Sequence, residues 1–366
     1  MKKIRVHLKE NSYELLVGRG LLKNCGPFIK SLNLGRDSVV ITNRRIVNLY
    51  GNDLKQALKE SGFSIHFELV PDSEKAKSSE VLIDILNRIS LYDRRKALFI
   101  AAFGGGVVGD VAGFSACVYK RGVPYIQIPT TLLAQVDSSI GGKVAIDLAA
   151  AKNMVGTFYQ PKLVLSDISL LNSLPKRQIR SGLAEVVKYG VIKDIRLFEY
   201  LESNFDSLLE LEEDALQHVV ARSGEIKAHF VEKDPFDKTG IRTVLNYGHT
   251  MGHAIETASG YSDKYSHGEA IAIGMVIASE ISVRLKLLDD RDAERLENLI
   301  KDIGLPTDIK DLDFGKIYES HLRDKKFIHG RNRFILPVKI GSMPKVFEDV
   351  PEKIVRDVLR QRIRYG

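Results

Sequence analysis

The stretch "ALFIAAFGGGVVGD" (residues 97–110) decides the fold. Its first seven residues are apolar and uncharged, as in a strand buried on both faces. Three glycines and a second apolar run follow, ending on Gly109 and Asp110. That pattern reads as a tight turn opening a helix. The alternation extends outward: "SVVIT" (38–42), "FSIHFEL" (63–69) and "PYIQIP" (124–129) read as strands, with helical patterns such as "SSEVLIDILNRISLY" between them. Strand–helix alternation predicts a parallel sheet covered by helices. The opening "MKKIRVHLKENSYELLVGRG" alternates like a β-hairpin and lacks the apolar core of a signal peptide. From about residue 175 helical periodicities take over, in "IRSGLAEVVKYGVI", "LEEDALQHVVARSGEIKAHFVEK", "GEAIAIGMVIASEISVRL" and "EDVPEKIVRDVLRQRI"; only "RFILPVKIG" still reads as a strand. The expected architecture is an α/β N-terminal nucleotide-binding domain with a mostly parallel sheet (1–174). A mostly α-helical C-terminal domain follows (175–366), with the active site in the cleft between them.

The glycine turn satisfies G-x-G-x-x-G, which lets a backbone approach a pyrophosphate at a helix N-terminus. It departs from the dinucleotide fingerprint because no acid ends the next strand about 20 residues on. Gly141-Gly142-Lys143 resembles the end of a P-loop, but Asp137 occupies the first glycine position and Val144 replaces the magnesium-binding Ser/Thr. The whole segment "PTTLLAQVDSSIGGK" concentrates two threonines, an aspartate, two serines and a lysine after one strand, more polar groups than a plain loop needs.

Composition narrows the function classes. Charged residues make up 28% of the chain and no apolar run is long enough to span a membrane. Two cysteines, Cys25 and Cys117, make no disulfide framework, so a reducing cytoplasm is the expected compartment. The net charge of +7 is spread among 47 acids. A nucleic-acid binder would gather it on one face, so no nucleic-acid partner is expected. Lys143, Lys152, Lys188 and Arg242 sit beside glycines and apolar segments, which suits a small anionic ligand.

In "LNYGHTMGHAIE" (245–256), His249 and His253 stand four residues apart, one helical turn, so both imidazoles share a face. An isolated pair of this kind usually packs or caps. Two further residues change the reading. Glu185 lies among Leu183, Val186 and Val187 with Lys188 three residues on, and His267 opens the helix of "HGEAIAIGM". One carboxylate and up to three imidazoles make a catalytic zinc set with three protein ligands and an open position. Spacing alone does not say which histidine is left out. Arg242 and Asn246 lie near the same face if that helix extends back to them.

These motifs, with "GGGVVGDVAGF", "YKRGVPYIQIPTTLLAQVDSSIGGK", "KNMVGTFYQP", "SGLAEVVKYG" and "RDKK", resemble the 3-dehydroquinate synthases, members of the sugar-phosphate cyclase superfamily, almost end to end. The resemblance implies their fold and a lyase-type cyclisation of 3-deoxy-D-arabino-heptulosonate 7-phosphate. Bound NAD takes and returns a hydride, phosphate leaves by elimination, and the ring reopens and closes as an aldol to 3-dehydroquinate. Zn2+ or Co2+ acts as the Lewis acid. By the same resemblance the metal ligands are Glu185, His249 and His267, and His253 serves the substrate phosphate and its protons. The implied substrate contacts are Asp137, Lys143, Asn153, Lys188, Lys227, Arg242, Asn246 and Lys326. Arg121 matches an arginine that reaches the phosphate from a partner subunit, which implies a homodimer. The implied NAD contacts are Glu74, Lys77, Gly105, Gly106, Asp110, Thr130, Thr131 and Lys152.

Four positions depart from the family pattern. "TNRR" (42–45) replaces an Asp-x-Asn nucleotide contact, Asp147 takes an Asn position, Lys238 stands where a glutamate is usual, and Ser173 replaces a threonine. They bear on NAD affinity and loop shape more than on the reaction. The rivals are another sugar-phosphate cyclase, a metal-dependent polyol dehydrogenase, and a basic nucleic-acid binder. The first would change substrate residues such as Asn246 and His253, the second would not need the full lysine–arginine set, and the third leaves the His/Glu set unexplained.

Overall fold

The computed structural model describes residues 1–93, 97–148, 151–322 and 332–365. The chain forms two compact units, Met1–Leu174 with Leu216–Phe236, and Pro175–Ala215 with Asp237–Gly366.

The first unit is built on a seven-stranded sheet. In chain order it contains β1 (Lys2–Val6), β2 (Tyr13–Gly18), α1 (Cys25–Ser31), β3 (Asp37–Asn43), α2 (Arg44–Glu60), β4 (Ser64–Val70), α3 (Ser79–Tyr92), β5 (Leu98–Gly104), α4 (Gly106–Val118), β6 (Tyr125–Pro129), β7 (Lys143–Leu148), β8 (Ala151–Phe158) and β9 (Leu163–Asp167). The strand order is β1-β2-β9-β6-β5-β3-β4. The hairpin β1–β2 is antiparallel and every other pair in the sheet is parallel. All seven residues of β5 are buried, which is why its run carries no alternation. Two apolar cores result. One gathers Val39, Ile41, Ile100 and Ala102 with Ile85 and Val111 of α3 and α4; the other gathers Val40, Phe99 and Ala101 with Ile29 and Leu54 of α1 and α2. Alternate residues of one strand therefore feed opposite faces. β7 and β8 form a separate antiparallel hairpin.

The second unit contains α5 (Lys176–Lys193), α6 (Ile195–Leu209), the start of α7 (Glu213–Lys233), α8 (His249–Ala258), α9 (His267–Arg284), α10 (Asp290–Ile303), β10 (Ile309–Lys310), α11 (Phe314–Leu322), β11 (Arg333–Leu336), β12 (Lys345–Glu348), α12 (Glu352–Gln361) and β13 (Ile363–Arg364). Its strands form two short ladders, β10–β13 and β11–β12, so "RFILPVKIG" is a strand only over its first four residues. Residues 216–236 read as part of the helical half by periodicity alone but are grouped with the first unit. A methyl group on Gly224 would stand 2.4 Å from Leu15, so α7 lies against β2. Among the described residues no helix is long and apolar enough to cross a membrane.

Candidate metal centre and charged clusters

Three helices of the second unit bring the candidate metal ligands together. α5 is buried along most of its length and carries Glu185 and Lys188 on one side, 1% and 2% exposed. α8 begins at His249 because Gly248 caps it in the left-handed region (φ 79°), where a Cβ would strike Met275 at 2.6 Å. α9 begins at His267 because Ser266 and Glu269 close a capping box, with Glu269 Oε2 accepting from Ser266 N at 2.7 Å. A Cβ on Gly268 would lie 2.1 Å from the Ser181 carbonyl, so only glycine lets α9 start this close to α5.

His249 Nε2 and His267 Nε2 each stand 3.6 Å from Glu185 Oε1. Among the described residues, Glu185, His249 and His267 form the His/Cys/Asp/Glu group whose ligand atoms all lie within 4.8 Å of one another. A tetrahedral ion with bonds of about 2.1 Å separates its ligands by roughly 3.4 Å, so the set is close to the size of a Zn2+ shell. The outer contacts fit as well. The His249 Nδ1–H donates to the Tyr247 carbonyl (3.1 Å), which puts the ring lone pair on Nε2. His267 Nδ1 faces Glu256 Oε1 at 3.4 Å, a carboxylate–histidine arrangement that orients the ligand ring. Burial opposes charge on His267, but Glu185 and Glu256 outweigh it and push the imidazole up to about 10. That field would equally hold a divalent cation in place of the proton. On its other oxygen Glu185 pairs with the Lys188 ammonium.

His253 lies one turn along α8, its ring centroid 5.4 Å from that of His249 and 6.5 Å from that of His267. Arg242 and Asn246 do not continue α8. They occupy a 3-10 turn, Ile241–Asn246, which the positive φ of Gly248 separates from the helix, and Arg242 is 2% exposed. Lys326 lies outside the described residues.

In the first unit six of the eight residues singled out for NAD follow the carboxyl ends of parallel strands, where ligands of open α/β sheets bind, while Asp110 lies within α4 and Lys152 on the antiparallel strand β8. Glu74 and Lys77 follow β4, Gly105 and Gly106 follow β5 and open α4, and Thr130 and Thr131 follow β6. Lys77, 4% exposed, is the hub. Its Nζ stands 2.8 Å from Asp110 and 3.8 Å from both Glu74 and Asp147, and it donates to Asn153 Oδ1. Burial works against the Lys77 charge, but Asp110 and the other acids win and raise its pKa. Burial likewise pushes Asp110 up to about 6, with Lys77 opposing. Lys152 reaches Glu74 at 3.4 Å. Asp147, one of the departures, accepts from Asn153 N at 2.7 Å and so fastens β8 while Asn153 takes φ 55°. Asn43 caps α2, its Oδ1 accepting from Ile46 N (2.9 Å) and its amide donating to Asp72 (2.7 Å). A second cluster joins Asp137, in a π-turn (Ala134–Ser138), to Lys227 of α7 at 2.7 Å. Lys143 opens β7 with its Nζ 5.8 Å over the Phe158 ring. Arg121 is exposed on the turn after α4, apart from these clusters.

Sequence reading missed Glu256, Tyr247 and the clasp formed by Asp147. The signal for Glu256 was present: it follows His249 by seven residues, two helical turns, on the same face.

The family model described as 3-dehydroquinate synthase N-terminal matches residues 68–181, and the one described as 3-dehydroquinate synthase C-terminal matches 182–327. The chain belongs to the 3-dehydroquinate synthase family. It is 45% identical to a 3-dehydroquinate synthase of Thermodesulfovibrio yellowstonii, over 95% of this chain and 97% of the relative. Among solved structures it is similar to 2-epi-5-epi-valiolone synthase from Streptomyces hygroscopicus subsp. jinggangensis, which has NAD+ and Zn2+ bound. The identity there is 27%, over 97% of this chain and 98% of that one, with a TM-score of 0.87. It is also similar to a 2-deoxy-scyllo-inosose synthase complexed with carbaglucose-6-phosphate, NAD+ and Co2+, at 25% identity, over 99% of this chain and 100% of that one, with a TM-score of 0.88. The α/β-plus-helical fold expected from the sequence is the fold of these cyclases.

Proposed function

We propose that this chain converts 3-deoxy-D-arabino-heptulosonate 7-phosphate to 3-dehydroquinate and phosphate, with NAD and Zn2+ or Co2+ as cofactors. The observation that carries this reading is the Glu185, His249 and His267 group, complete with its Tyr247 and Glu256 outer contacts, in a chain of this family. When bound, NAD would supply a hydride acceptor and donor, and the metal a Lewis acid for an alcohol and then a carbonyl. Glu185, His249 and His267 would hold the metal. Glu74, Lys77, Gly105, Gly106, Asp110, Thr130, Thr131 and Lys152 would bind NAD.

The remaining polar set would hold the substrate. Lys143, Lys188, Lys227, Arg242 and Lys326 offer cations to a carboxylate and a phosphate, and Asp137, Asn153 and Asn246 offer partners for hydroxyls. His253, beside the ligand rings, would move a proton at the substrate. Arg121 would act in the site of a second copy of the chain, making the working unit a homodimer. The cytoplasm is the expected compartment.

The test is phosphate release from 3-deoxy-D-arabino-heptulosonate 7-phosphate with catalytic NAD and Zn2+, while absorbance follows NADH. Phosphate release without net NADH is the expected result. Metal-loaded folded protein that releases none overturns the substrate assignment, and glucose 6-phosphate and sedoheptulose 7-phosphate are then screened.

A further inference from the structure

One strained segment has no part in the clusters above. Lys120, Arg121 and Gly122 all have positive φ, 50°, 64° and 124°. Two successive side-chain-bearing residues in the left-handed region are unfavourable and persist only where their surroundings impose the shape. Here the surroundings grip both ends. On one side Asp93, whose side chain is fully buried, accepts from the Tyr119 hydroxyl at 2.9 Å and pairs with the Lys120 ammonium. On the other, the Tyr159 hydroxyl donates to the Val123 carbonyl at 2.8 Å, and a Cβ on Gly122 would stand 3.2 Å from that hydroxyl. The backbone closes with Gly122 N donating to the Tyr119 carbonyl and Val123 N to that of Ala116, both at 2.9 Å. The Tyr119 phenol is pushed up to about 12 by burial and then by Asp93, so it remains a donor. Arg121 is left exposed at the tip of this turn.

A buried carboxylate whose cation is mostly solvated, as Lys120 is, adds little to stability. Its effect is conformational: it fixes the two residues that precede Arg121. We infer that Asp93 is a positioning residue, acting through Tyr119 and Lys120 to hold residues 119–123 in the shape that presents Arg121 outward. This rests on the reading of Arg121 as a phosphate contact. Removing Asp93 leaves the guanidinium in the protein but lets the turn relax, so the arginine is present without being aimed.

The experiment is a double-mutant cycle on the full-length protein, with NAD and Zn2+, for Asp93→Asn and Arg121→Ala. It measures kcat/KM for 3-deoxy-D-arabino-heptulosonate 7-phosphate and inhibition by inorganic phosphate. Losing a charged contact to phosphate is worth roughly 10- to 100-fold, which is expected for Arg121→Ala in kcat/KM, with weakened phosphate inhibition. Asp93→Asn should lose about 10-fold alone, and less than about 2-fold in the Arg121→Ala background. Tyr119→Phe, which keeps the carboxylate, should reproduce part of the loss and guards against a folding artefact. An Asp93→Asn effect of equal size in both backgrounds overturns the inference as a general structural loss. An intact Asp93→Asn beside a damaged Arg121→Ala overturns it too, while leaving the Arg121 reading standing. Wild-type kinetics in Arg121→Ala overturn both.

Discussion

Replacing Glu185 by glutamine keeps the shape of the side chain and removes its charge. The carboxylate is 1% exposed, faces the Lys188 ammonium on one oxygen, and faces two imidazole nitrogens at 3.6 Å on the other. Two losses follow. The buried ammonium loses this counter-charge, and breaking a buried pair from one side costs about 3–5 kcal/mol. For a unit of this size each kcal/mol moves the melting temperature by about 2–4 °C, so a fall of roughly 6–20 °C is expected. The metal loses an anionic ligand. Losing an outer contact already costs about 10- to 100-fold in affinity, so losing a ligand should cost at least about 100-fold. The assay is metal stoichiometry after gel filtration, with melting curves before and after chelation. Adding Lys188→Met separates the two losses. The double variant should recover most of the melting temperature, because the buried ammonium that lost its carboxylate is gone, and should still carry no metal. Glu185→Gln with stoichiometric zinc and full turnover would refute the ligand assignment. An unchanged melting temperature would refute the buried-charge argument.

His253→Ala should keep stoichiometric metal while kcat falls by about 100- to 10,000-fold, the range of a lost proton-transfer group; loss of metal would make His253 a ligand. Lys152→Ala should raise the NAD concentration for half-maximal activity about 10-fold, and an unchanged titration would remove Lys152 from the nucleotide site. Asp110 sets a pH dependence. Its folded pKa of about 6 lies above the ordinary carboxylate value of 3.8. Between those values the folded state holds more protons, so this contribution to stability is present below about pH 4 and lost as pH rises through 6. It amounts to at most about 3 kcal/mol. Denaturant melts of the parent and Asp110→Asn at pH 4 and pH 7 should show that slope only in the parent; equal slopes would remove Asp110 as its source.

The strands around residue 100 and the long helices were legible because each carries its own period or an unbroken apolar run. The β7–β8 hairpin was not. Most of β8 is exposed or half-buried and carries Lys152, Asn153 and Gly156, so no alternation marks it. The placement of α7 was hidden for a different reason: its period announces a helix, but only the close approach of Gly224 to Leu15 says what it packs on. Asp93 was hidden as well: it lies in the charged stretch "YDRRK" (92–96) and carries no motif, and its burial is tertiary. Lys77 and Asp110 were each visible, but their contact depends on β4 and β5 both pairing with β3, which no local pattern states.

The fate of the basic residues shows what the sequence did reveal. Of 54 lysines and arginines, the buried ones among the described residues are Lys77, Lys188, Lys227 and Arg242. Each of the three lysines meets a carboxylate: Asp110 at 2.8 Å, Glu185, and Asp137 at 2.7 Å. An apolar pair of the same volume would serve stability as well or better, because desolvating two ions consumes most of their attraction. Three such pairs therefore call for another cause, and the proposed binding of an anionic substrate and cofactor would supply one. A lysine held beside a carboxylate is kept charged and in place without its ligand, and a phosphate or carboxylate arriving at the pair meets a cation whose desolvation has already taken place. Of the four basic residues that stood out in the sequence beside glycines and apolar runs, Lys188 and Arg242 belong to this buried set, whereas Lys143 is exposed and Lys152 half-buried; Lys77 and Lys227 were indicated by the family resemblance alone.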